Sequence, residues 1–146
     1  CGVLADARSE RLVLAAYISD QSFETQRTLN SLEAKHFSYL PNRYLFQCVR
    51  DAYYDSLDEA PSIDKIVKFV TSSPYCGIIA QGTTAGIGQP KYANCLAMKY
   101  MAEIVILFHS ALVLEEELHL ETRVSALIKT WKLNKVFKAM ITSARN

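Results

Sequence analysis

From Ala93 to Asn146 the chain contains neither Gly nor Pro, so nothing there obliges a helix to stop. The spacing predicts one long helix over 92–118, about 27 residues and about 40 Å at 1.5 Å per residue. Its middle, Ile104-Val105-Ile106-Leu107-Phe108, is apolar on every side. A helix that is hydrophobic all round must be covered all round, which one neighbouring helix cannot do. The cover has to come from the preceding half of the chain or from a second subunit. A turn around 119–122 would fold the next helix back as a helical hairpin. In that last segment Val124, Leu127, Ile128 and Trp131 share one face at 100° per residue, while Leu133, Phe137 and Met140 lie nearly opposite. Either the helix breaks near Asn134 or its two halves serve different partners; the break is the expectation. Trp131 reads equally as an interface anchor or as a core residue.

The upstream half is also helical. Ser9 suits the N-cap of a helix over about 10–19, with Leu14 and Ile18 at i, i+4. A second helix is predicted over about 22–34, burying Leu29 and Leu32. Pro41 fits the first turn of a third, which carries Leu45, Phe46, Val49, Ala52 and Tyr53 toward a core and ends in the turn Asp58-Glu59-Ala60-Pro61. Ser62 caps a fourth, whose Ile63, Ile66, Val67 and Val70 form a regular apolar stripe. Between Ser72 and Lys91 lie four of the five glycines and two of the four prolines, read as a joint. The chain is therefore expected to be all-α: a globular helical bundle (1–72), a Gly-rich joint (73–91), then a long helical hairpin with a terminal helix (92–146).

At 146 residues the chain can bury one core of ordinary size. Its start at Cys1 without Met suggests a piece of a longer polypeptide, and no secretory signal or run of 18 uncharged apolar residues marks a leader or membrane span. The cysteines Cys1, Cys48, Cys76 and Cys95 form no C-x-x-C pair and read as free thiols of a reducing compartment. The charge is uneven: net −5 up to Glu121, then net +6 from six basic residues with no acid. Arg123, Lys129, Lys132, Lys135 and Lys138 thus form a candidate surface for nucleic acid or an acidic partner, beside the plainer reading of a solvated face.

Catalytic groupings are hard to assemble. Gly86, Gly88 and Lys91 do not have phosphate-loop spacing. His36, His109 and His119 offer no metal-ligand spacing, and His119 with Glu115 lacks a third ligand. Glu115-Glu116-Glu117 fan around a helix instead of converging. Arg43, Tyr44, Tyr53 and Tyr54 could stack on bases, though Tyr53 shares the core stripe. No catalytic residue, metal or cofactor is assigned; a small enzyme using Cys76 or Cys95 with a histidine is the outlying alternative.

Glu10, Leu14, Asp20, Phe37, Arg43, Leu45, Phe46, Ile63 and Asp64 succeed one another in an order that resembles the N-terminal domain of DnaB-type replicative DNA helicases. Ala102-Glu103-Ile104-Val105 looks like the start of that family's hairpin helix, and Lys135-Val136-Phe137-Lys138 like the segment leading to its linker. The resemblance spans about three-quarters of the chain. It departs where Ile106, Phe108 and Leu112 replace the usual basic residues, and where the Gly-rich loop replaces a short helix. It implies a non-catalytic oligomerisation and docking domain, cytoplasmic and nucleoid-associated or the organellar equivalent. Such a domain pairs its hairpins through Met101, Ile104, Val105, Phe108, Leu112 and Trp131 into dimers within a hexameric collar. Primase or a loader would be the partner, DNA contact indirect or weak, and membrane contact absent. The helicase-binding C-terminal domain of DnaG-type primases has a similar architecture and is the alternative.

Overall fold

A computed structural model describes residues 6–57, 59–83 and 92–145. The described residues form seven α-helices and one 3-10 turn and contain no strand: α1 (Ala7–Ser19), α2 (Phe23–Leu29), a 3-10 turn (Ala34–His36), α3 (Leu40–Asp55), α4 (Ile63–Thr71), α5 (Cys76–Ala80), α6 (Ala93–Val113) and α7 (Leu120–Arg145). The fold is all-α.

The helix enclosed on every side is α1. Every residue from Leu12 to Ile18 is buried, because α6, α3, α7 and α2 all pack against it. Its cap is Asp6, whose carboxylate accepts from Ser9 N at 3.1 Å. The expected cap, Ser9, instead lies inside the first turn, where its hydroxyl receives Arg123 Nη1 at 3.3 Å. A carboxylate three residues upstream reaches the orphan amides first.

The second helix stops at Leu29, well short of 34. Its terminator is remote: Arg50, on α3, donates to the carbonyls of Leu29 (3.0 Å) and Leu32 (2.6 Å) and to the Tyr17 hydroxyl (3.1 Å). A guanidinium whose planar fork satisfies two chain-end carbonyls does what a continuing helix would otherwise do. Leu29 and Leu32 are buried as expected. The third and fourth helices match their local signals, with Pro41 in the first turn of α3 and Ser62 accepting from Lys65 N at 3.2 Å.

The predicted joint behaves as part of the core. It contains α5, which packs against α6 and α3 and buries Cys76, Ile79 and Ala80; residues 84–91, with Gly86 and Gly88, lie outside the described set. Gly82 is pressed on the Tyr100 ring so closely that a Cβ would come within 2.5 Å of it. The two long helices do come after the bundle in sequence, joined at residues 114–119, where Glu115 and His119 adopt positive φ. In space, though, α6 lies against α5, α1 and α4, and α7 against α1, α2 and the 3-10 turn. Each is packed on the bundle, with α1 touched by both. The expected break near Asn134 is absent: α7 is continuous from Leu120 to Arg145, as a stretch without Gly or Pro permits.

Candidate functional site

Glu10 is the most buried ionisable group among the described residues, 1% exposed. Its carboxylate accepts from Ser38 N (2.9 Å), Tyr39 N (3.4 Å) and Asn42 Nδ2 (3.0 Å), the last polar groups before α3 and within its first turn. The α1 carboxylate thus caps α3 from outside, at the positive end of that helix. Asn42 Oδ1 in turn receives the Tyr100 hydroxyl, linking α6 to the same point, and Arg11 lies 5.8 Å from the Tyr100 ring centre. Burial pushes Glu10 above the usual carboxylate range, opposed by its hydrogen bonds. The network is buried and joins three helices.

The residues singled out for an interface divide. Met101, Ile104 and Phe108 are buried in this chain's own core, Val105 is half-buried against it, and only Leu112 is exposed. Trp131 is also half-buried, edge-on to His36 at 5.4 Å, with Lys35 Nζ 4.6 Å and Lys135 Nζ 5.2 Å from its ring centre. It clasps α7 to the 3-10 turn. His36 Nδ1 accepts from Glu33 N at 3.0 Å, and burial lowers its pKa from the ordinary imidazole value.

The basic residues do not make one surface. Arg123 is tied into the fold through Leu118 O (2.7 Å) and Ser9. Lys129, Lys132, Lys135 and Lys138 are all exposed, but each step of three turns back by about 60° on a helix, so the four wind halfway around α7. Chemistry is equally scattered. Among the described residues no group of three His, Cys, Asp or Glu side chains is placed to hold a metal. Cys48 and Cys76 are buried free thiols, Cys48 with its pKa pushed up to about 11 by burial. Tyr44 stacks on Tyr75 at 4.0 Å, and Tyr53 on Tyr17 at 5.0 Å, leaving Tyr54 exposed. A wide open groove of about 770 Å³ between α2 and the start of α7 is lined by polar groups such as Glu24, Arg27 and Ser125.

What stands out is apolar and exposed. On α6 the side opposite the core carries Met98, Ile106 (61% exposed) and Val113 (81%), continued by Leu114 past the helix end; Ile106, His109, Ser110, Val113 and Leu114 line a shallow, almost wholly apolar depression of about 400 Å³. This helix has the length and mean hydropathy, 1.6, of a membrane span, yet one face is committed to the core. On α7 the residues Leu133, Val136, Phe137, Met140 and Ile141 are all exposed and fall at i, i+3, i+4, i+7, i+8, a complete amphipathic stripe. Contiguous exposed apolar surface of this kind marks an interaction site more often than chance. Sequence periodicity pointed to the stronger stripe of α6, which the core uses; the weaker stripe is the exposed one. No protein-family model, no curated protein and no solved structure matches this chain.

Proposed function

We propose that this chain is a non-catalytic oligomerisation and docking domain of a DnaB-type replicative DNA helicase, with primase or a loader as partner and ATP hydrolysis housed elsewhere in the parent protein. The carrying observation is the pair of uncovered apolar helix faces on α6 and distal α7. The resemblance in residue order also supports this reading. Glu10 caps α3, Leu14, Phe37, Leu45 and Phe46 fill the core, Arg43 Nε donates to Phe37 O at 2.9 Å, and Asp64 stands in the first turn of α4. Those residues support the fold; the function rests on the faces they leave outside.

The pairing surface has to be relocated from Met101, Ile104 and Phe108 to Ile106, Val113 and Leu114. Phe108→Glu would test folding rather than association, since Phe108 is buried. The informative variant is Ile106→Glu with Val113→Glu. Sedimentation across a concentration series should show the wild type associating and the variant monomeric with unchanged helicity. A wild type that stays monomeric at the highest attainable concentration, and binds neither primase nor loader, would overturn the proposal.

A further inference from the structure

We infer that the distal half of α7 docks on the outer face of α6, and on the acidic turn beside it, in a second copy of this chain, and that the exchange is reciprocal. This deepens the self-association reading above and rests on it.

Reach limits what the tail can cover. Helix α7 begins at Leu120, immediately after the turn at 114–119, and runs unbroken to Arg145. At 1.5 Å per residue the stripe Leu133–Ile141 lies about 20–30 Å along the axis from that turn. A continuous helix cannot bend its far end back to its own beginning, so the tail cannot cover its own chain's α6 face. Both surfaces stay open within one copy: Ile106, Val113 and Leu114 on one, Leu133, Val136, Phe137, Met140 and Ile141 on the other.

Charge then selects the occupant. The turn and the start of α7 carry Glu115, Glu116, Glu117 and Glu121, all exposed. Glu116 meets Arg8 at 3.2 Å and Glu117 meets His119 at 3.2 Å, both at the surface, where such pairs are weak and exchangeable. The tail carries Lys132, Lys135, Lys138 and Arg145 and no acid. Relative to the apolar stripe, Lys132 and Arg145 fall at its two borders at 100° per residue, where a docked helix meets the rim of its site. An apolar stripe with basic borders and an apolar face with an acidic border are complements, and one chain carries both. Two copies related by a two-fold axis satisfy both surfaces at once and close the assembly at two.

The experiment is a charge-swap complementation on the full chain. The tail variant is Lys132→Glu/Lys138→Glu/Arg145→Glu; the corner variant is Glu115→Lys/Glu116→Lys/Glu117→Lys. Each alone should be monomeric, and an equimolar mixture should give a dimer holding one of each by native mass spectrometry. Phe137→Glu with Met140→Glu, both exposed, should weaken dimerisation at least about tenfold with helicity unchanged. If that variant dimerises like the wild type while Ile106→Glu with Val113→Glu does not, the tail assignment is wrong and self-association stands. A monomeric wild type overturns both. A monomeric wild type that binds anionic phosphatidylserine vesicles through Phe137 overturns the inference in favour of a membrane-surface helix.

Discussion

A single carboxylate sets the relation between α1, α3 and α6. Removing it by Glu10→Ala leaves the amides of Ser38 and Tyr39 and the Asn42 side chain without their acceptor, and should destabilise the fold by about 2–4 kcal/mol in urea titration. The pH dependence has a definite sign. The pKa of Glu10 is raised in the fold, chiefly by desolvation, so its stabilising contribution is fullest below the unfolded value of 4.5 and declines as pH rises through the folded one. The stability gap between wild type and Glu10→Gln should therefore narrow from pH 4 to pH 7; a gap that widens would mean the hydrogen bonds outweigh burial. Asp20 runs the other way, lowered first by its hydrogen bond from Thr25, but it is common to both proteins and cancels. Glu10 was visible in the sequence as part of a pattern. Its partners were not, because Asn42 and Tyr100 are distant along the chain.

Helices whose ends are governed by neighbouring residues were legible; those ended from afar were not. Pro41 and Ser62 act within one turn, so α3 and α4 start where expected. Helix α2 is stopped by Arg50 from another helix, and no local signal marks that. For α6, composition overstated the case: five consecutive apolar residues suggested cover on all sides, yet packing uses one face and leaves Ile106 outside. The true all-round helix, with its run Leu12-Val13-Leu14-Ala15-Ala16-Tyr17-Ile18, was the shorter one. On α7 the phase shift between its two apolar faces is the sign of two roles on one rod rather than of a break. Because the tail from Lys135 to Arg145 is exposed, Lys138→Pro should lower helical circular dichroism by the contribution of the last turns while leaving the thermal midpoint of dilute protein unchanged. A fall of several degrees would show that the tail is part of the folded core.

Across the whole molecule, the bundle is not complete without the long helices. Tyr100, Met101, Ile104 and Phe108 of α6 fill the same core as α1, α3 and α5, so the division at residue 72 is a feature of composition and not of packing. A fragment ending at Thr83 should lack cooperative thermal unfolding and should expose enough apolar surface to bind a hydrophobic dye; a sharp transition in that fragment would establish an independent first unit. The central position of α1 has a further consequence for how the protein is made. Ala7–Ser19 leaves the ribosome about 5–20 s before Ala93–Val113 at ordinary elongation rates, and for that interval the face that α6 covers has no partner. Birth of this fold is thus a waiting problem, in which α1 is fully enclosed only once a much later helix has been made. Its yield in a cell should be governed by how well the nascent chain is shielded until α6 arrives.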